Sequence, residues 1–232
     1  MADRPILFSA PMVRALLEGR KTQTRRVLKM RGHRSFSEFG PSDTRGYDWH
    51  FRDAAMRWHD LRNGELIKRL SYAIGDRLWV RETWTACMVH GWTIADARSR
   101  LFEEEIIYRS DGHQSIDGWW SSIHLPREFS RLTLIVTDVR VQRLQDISEE
   151  DAIAEGCGLT SEQVATNNEL AQRPPPVHGD FWHMSTGRGN FLALWSDIHG
   201  GIDAWDANPW VAAYTFTVHR CNIDQMEAEH AD

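Results

Sequence analysis

Gly19-Arg20-Lys21-Thr22-Gln23-Thr24-Arg25-Arg26-Val27-Leu28 is the stretch from which the fold of this chain is read. Before it, Met12, Val13, Leu16 and Leu17 recur at helical spacing, which predicts a helix over residues 10–18. Gly19 follows as a helix stop. After it, threonines, a valine and alternation predict a strand. The unit is therefore helix, glycine turn, strand, with a short apolar strand at residues 6–8 in front. Gly19-Arg20-Lys21-Thr22 is not a phosphate loop, because Arg20 separates the glycine from the lysine and no earlier glycine precedes it.

Further along, residues 31–72 are polar, arginine-rich and weakly patterned, and read as an insertion or long loop. Gly75-Asp76 is a turn into Arg77-Leu78-Trp79-Val80-Arg81-Glu82-Thr83-Trp84, which alternates as a strand. A second irregular stretch covers about 85–122. Residues 130–144 hold the clearest strand signal: Leu132, Leu134 and Val136 share a face, and Val139 and Val141 resume after a phase slip at Thr137-Asp138, predicting a bulge or turn there. Ser148 is an N-cap followed by three acids that suit a helix N-terminus, with Asp151 near a capping-box position and Gly156 as the stop. Residues 160–190 contain Pro174-Pro175-Pro176 and several glycines and read as a long loop, with STGRGN (185–190) flexible. Residues 191–195 fit a short helix, and Trp210 to His219 a last strand. Strands dominate and helices are few and short. The expected class is α+β, a small mixed β-barrel with long loop insertions: one domain over 1–222 and an acidic tail over 223–232.

With 41% hydrophobic and 26% charged residues among 232, the chain reads as ordinary globular protein, not a fibre or a disordered polymer. No run approaches the roughly 18 apolar residues of a membrane helix. The start lacks the basic and apolar regions of a signal peptide. Three widely spaced cysteines, Cys87, Cys157 and Cys221, suggest a reducing compartment and no disulfide framework. A cytoplasmic location without membrane attachment is expected. Net charge is −6, yet residues 20–34 carry Arg20, Lys21, Arg25, Arg26, Lys29, Arg31 and Arg34 and no acid. A local basic patch on an acidic protein fits an anionic ligand or nucleic acid; the bland reading is a solvated face. Among eleven tryptophans, most are expected to anchor the core. One or two, Trp84, Trp119 or Trp120 among them, are candidates to stack on a base. His178, Asp180 and His183 have ligand chemistry, but no HExxH or CxxC accompanies them, so neither a metal nor another cofactor is expected. Cys87 and Cys157 are nucleophile types, though buried inert thiols are commoner.

The string GRKTQTRR, with GDRLWVRETW at 75–84, Leu144 to Gly156, and the last strand in the same order, resembles the ASCH domain of the PUA-like superfamily, and within it the larger phage and prophage-encoded members. The matching segments are about 5–28, 75–84, 125–156 and 191–220; the three insertions lie outside. The resemblance implies a PUA-like barrel and a nucleoside, RNA or modified nucleic acid as ligand. In one small branch of the family the reaction is hydrolysis of the acyl amide of N4-acetylcytidine. Its lysine, threonine and glutamate fall on Lys21, Thr24 and Glu155. This chain is about twice the length of those small enzymes, and Arg25 stands where an apolar residue is usual.

Amide hydrolysis needs a nucleophile, a base and a stabiliser of the oxyanion. Thr24 offers a hydroxyl. Lys21, desolvated among Arg20, Arg25 and Arg26, is a candidate base that would activate it. Glu155 would manage water and proton transfer, and Arg26 would orient a carbonyl or anion. Arg20, Arg25, Arg26, Arg81 and Trp84 are the candidate ligand-binding residues. The alternative is a non-catalytic RNA- or modified-base-binding module of phage origin, in which Lys21 and Arg20 clamp phosphate, Thr24 is a strand residue and Glu155 a helix-surface acid.

Overall fold

Alternation becomes ten strands among the described residues: β1 (Asp3–Leu7), β2 (Gln23–Val27), β3 (Phe36–Pro41), β4 (Trp49–Asp53), β5 (Trp58–Leu61), β6 (Arg77–Arg81), β7 (Trp84–Ala86), β8 (Ile106–Tyr108), β9 (Thr133–Arg143) and β10 (Trp210–His219). The helices are α1 (Ala10–Leu17), α2 (Asn63–Arg69), α3 (Ile94–Ala97), α4 (Glu149–Ala154), α5 (Ser161–Ala171), α6 (Gly187–His199), α7 (Asp203–Asp206) and α8 (Gln225–Ala228). The structure, a computed structural model, describes residues 2–32, 35–86, 93–99, 106–112, 116, 118–171 and 185–228. Its class is α+β, as expected. The backbone gathers into two units, one of Met1–Gly19, Tyr72–Val139 and Tyr214–Asp232, the other of Arg20–Ser71 and Arg140–Ala213. Strands β9 and β10 run through both.

In the first unit β1, β6, β9 and β10 are neighbours in that order. β1 lies parallel to β6 with Ile6 opposite Val80, and β6 lies antiparallel to β9 with Leu78 opposite Leu134. The Gly75-Asp76 turn is present, and its residue types have reasons. Gly75 adopts φ +85°, the left-handed region that glycine enters freely. The buried Asp76 carboxylate accepts from the backbone N–H groups of Ala2 (2.9 Å) and Ala73 (3.1 Å). The strand expected over 77–84 is broken. β6 ends at Arg81, and Trp84 opens β7, which pairs with β8 in a separate two-stranded sheet. Between them Glu82 turns into a buried cluster with Ser110 and Arg131. Trp84, Ala86, Ala97, Leu125 and Phe129 form a core there.

In the second unit the other ends of β9 and β10 continue, with β2 beside β10. β1 and β2 are the edges of the five-stranded sheet, so among the described residues it does not close into the expected barrel. The described residues of 31–72 are no loop either. They form the antiparallel sheet β3-β4-β5 and then α2. Phe51, Leu61 and Leu66 are buried there, while charged pairs such as Arg52–Glu38 (3.0 Å) occupy the wet side. One buried row per strand is too sparse to stand out in a polar sequence. The 85–122 stretch likewise contains β7, α3 and β8.

The loop expected over 160–190 contains α5, whose start is a reciprocal cap: Gln163 N–H donates to Thr160 Oγ1 (3.2 Å) and Thr160 N–H to Gln163 Oε1 (2.9 Å). The STGRGN loop is the start of α6, four residues earlier than residue 191, capped by Thr186 (Gly189 N–H to Oγ1, 2.9 Å). Gly187 is there for space: a Cβ would stand 2.9 Å from Glu149 Oε1 and 3.3 Å from the Cys157 carbonyl. α4 and α6 close over Leu144, Ile147, Ala152, Cys157, Phe191, Trp195 and Val211, the core of this unit. The phase slip at Thr137-Asp138 is real in burial but needs no break in β9: both residues are exposed within a continuous strand. The tail expected from residue 223 begins with a fully buried Ile223.

Candidate functional site

The chain leaves Gly19 (φ +73°) and runs extended into β2. On the way Lys21 forms an isolated antiparallel bridge with Glu155. Glu155 caps the C-terminus of α4. That end is closed by Gly156 (φ +87°), whose N–H reaches the Ile153 carbonyl (2.8 Å), and by Cys157, whose N–H reaches the Ala152 carbonyl (3.0 Å). These are the paired bonds of a Schellman stop, with Cys157 and Ala152 both in the core. Two carbonyls of the last turn remain, and the segment before β2 takes both. Thr22 N–H donates to Ala154 O (2.8 Å), and Lys21 Nζ donates to Glu155 O (2.9 Å). The lysine is thus a cation at a helix C-terminus, where the dipole favours one.

The same Nζ donates to Glu155 Oε2 at 2.8 Å. Arg25 Nη1 donates to Glu155 Oε1 (3.1 Å) and to Gln23 Oε1 (2.5 Å), and Arg25 Nη2 to Asp151 Oδ2 (2.6 Å). Gln23 Nε2 (3.2 Å) and Arg140 Nη2 (2.9 Å) complete Asp151 at Oδ1. Lys21 is 0% exposed and Glu155 3%. Burial alone would raise the Asp151 carboxyl; the hydrogen bond from Arg140 and the charges of Arg25 and Arg140 outweigh it and hold it below the usual carboxylate range. Burial pushes the neighbouring Cys157 thiol up to about 11, with Lys21 and Arg20 opposing and Glu155 reinforcing the rise. At neutral pH it is a thiol and no nucleophile. Cys87 lies outside the described residues.

Lys21 and Arg25 therefore meet Glu155, distant from both in sequence, as one ion cluster. Thr24 does not join it. Alternation along β2 sends Gln23 and Arg25 toward Asp151 and Glu155 and Thr24 and Arg26 to the opposite face, where Thr24 is buried. Arg20 donates to the Gly156 carbonyl (3.3 Å) from an exposed position. Arg26 is half-buried; burial of His199 and the Arg26 charge together hold that imidazole below its usual range. Trp84, a candidate for base stacking, is corrected to core. It is 0% exposed and packed against Trp120 (4.6 Å) and Phe129 (5.5 Å), so no base reaches its face. Arg81 belongs to the same first unit, where its guanidinium lies over the Trp79 ring at 4.5 Å and burial pulls it below its usual range.

Gln23, Asp151 and Arg140 are cluster members that the sequence reading missed. Asp151 reads as a helix-start acid, yet its spacing of four from Glu155 puts both carboxylates on one helix face. Among the described residues no three His, Cys, Asp or Glu side chains converge as metal ligands. His178, Asp180 and His183 lie outside the described residues. No described helix is long and apolar enough to cross a membrane. No family model matches the chain, and neither any curated protein nor any solved structure does.

Proposed function

We propose that this is a PUA-like ASCH protein of the cytoplasm that recognises nucleosides and hydrolyses the acyl amide of N4-acetylcytidine-like substrates. One observation carries the reading: Lys21 Nζ and Glu155 Oε2, 134 positions apart in sequence, stand 2.8 Å apart in a buried site. Both of the Nζ contacts at the α4 terminus are to acceptors, so Lys21 works as a donor rather than as the base that activates Thr24. Thr24 faces away from the Arg25 side of β2, so water replaces it as nucleophile. Water adds to the acyl carbon while the Glu155 carboxylate takes its proton. Lys21 donates a hydrogen bond to the oxyanion that forms. On collapse the C–N4 bond breaks and the proton held by Glu155 passes to the leaving N4, giving cytidine and a carboxylic acid that loses its own proton to solvent. Arg25 holds Glu155 in place from its other oxygen. Because Lys21 is fully buried, substrate reaches the pair only when part of its cover moves.

That burial also favours a second reading. A lysine satisfied by a carboxylate and a helix-end carbonyl is a good structural tie, and the chain would then be a non-catalytic module for RNA or a modified base. Incubation with N4-acetylcytidine, followed by chromatography of the cytidine formed, separates the two. Conversion by the wild type and none by Lys21→Ala, with the variant's circular dichroism unchanged, supports hydrolysis. No conversion at high protein concentration overturns it and leaves the binding module.

A further inference from the structure

We propose that the second unit carries a separate groove for single-stranded nucleic acid, between β3 and the adjoining ends of β2 and β10. The groove has a volume of about 640 Å³ and includes Phe36, Phe39, Trp210, Lys29, Arg143 and Glu38 in its lining. That volume is within the range of small-ligand sites and suits one or two nucleotides. Its rings are held in place. Phe39 stacks on Trp49 (5.3 Å, 19°) and meets Trp210 edge-on (5.4 Å, 75°). Phe36, Phe39 and Trp210 are each half-buried.

The cations are placed beside them. Arg143 lies over the Trp210 ring at 4.5 Å, and its Nη1 is fixed by the Asn208 carbonyl (3.1 Å). Lys29 and Arg143 are exposed. The groove's acid, Glu38, is neutralised by Arg52 at 3.0 Å. Half-buried aromatic residues next to exposed cations are the components of a stacking platform along a phosphate path. The groove shares no residue with the Lys21–Glu155 cluster, so it stands or falls apart from hydrolysis.

The test is fluorescence anisotropy of the full chain with labelled ten-nucleotide oligo(U) and oligo(dT), neither of which carries an acyl group, at several salt concentrations. Lys29→Ala/Arg143→Ala, both at exposed positions, is expected to weaken binding at least tenfold and to flatten the log–log salt slope by about 1.4, the share of two phosphate contacts on a single strand. Phe36→Ala is expected to weaken it roughly tenfold with the salt slope unchanged. Lys68→Ala, an exposed lysine on α2, removes a charge elsewhere and is expected to leave binding within twofold. No binding at low salt, an equal effect of Lys68→Ala, or displacement of the oligonucleotide by poly-glutamate as efficiently as by unlabelled oligonucleotide would overturn the groove as a nucleic-acid site.

Discussion

Two buried carboxylates, one in each unit, are held by cations in different ways. In the second unit Glu155 is gripped by Lys21 and Arg25, whose side chains are both 0% exposed, so neither of its cations meets water. In the first unit Glu82 is 1% exposed and receives Arg131 Nε (2.9 Å) and the Ser110 hydroxyl (2.5 Å). Its guanidinium, however, is 28% exposed, and also reaches Asp111 (2.7 Å) and lies over the Tyr108 ring (4.0 Å). Burial and the Glu82 charge push the Tyr108 hydroxyl well above its ordinary range. Both clusters grow from the two most distinctive strings in the sequence. The Glu82 cluster has water at one end to absorb a change. The Glu155 cluster holds its carboxylate with two cations that are themselves fully buried, so removing one leaves interior charge less well compensated.

The largest expected effect follows from that asymmetry. Lys21→Ala should cost about 3–5 kcal/mol of stability, because Glu155 loses its nearer cation inside the protein. It should also lower kcat on N4-acetylcytidine by about a thousandfold, the scale of one lost oxyanion donor. Urea melts give the first number, and turnover below the melting range gives the second. In the first unit Glu82→Gln keeps the shape and frees an arginine that retains Asp111 and solvent. Its expected cost is about 2–3 kcal/mol, and turnover should be unchanged. A Glu82→Gln loss larger than that of Lys21→Ala would break the contrast between the two clusters.

Acid should sharpen it. The Asp151 carboxyl is held below its unfolded value of about 3.9, so its pairing stabilises the fold above that pH and is lost as pH falls through the lower folded value. Asp151→Asn should therefore cost about 1–2 kcal/mol at pH 7. The difference from wild type should stay flat down to about pH 5 and shrink below about pH 4. Paired melts from pH 3 to 7 read it directly; a difference that widens in acid would show that the carboxylate is not the stabilising form.

Much of this was legible because it was local. The glycine stops at Gly19 and Gly156, the Gly75-Asp76 turn and the last strand each depend on a few adjacent residues. Lys21 and Glu155 came from a resemblance, and the helix-end carbonyls are what bring them together. What was not legible depended on partners far along the chain. The β3-β4-β5 sheet hides in a polar stretch because its buried row is thin. Trp84 looks like a stacking residue until Trp120 and Phe129 cover it. Gly187 looks flexible until Glu149 occupies the space that a Cβ would need. The break after Arg81 comes from Glu82 turning toward Ser110, 28 positions on, and no alternation pattern records that.

The smallest expected effect tests the face on which the chemistry runs. Thr24 lies across β2 from Gln23 and Arg25, so if water is the nucleophile, Thr24→Val should change kcat on N4-acetylcytidine by less than about tenfold. Valine is nearly the same shape but removes a buried hydroxyl, so a stability change on the order of 1 kcal/mol is expected in either case. The decisive reading is kcat at a temperature where both proteins are folded. A loss as large as that of Lys21→Ala would restore the hydroxyl as the attacking group. It would require β2 to turn Thr24 toward Lys21 when substrate binds, because the strand's alternation holds it on the other side.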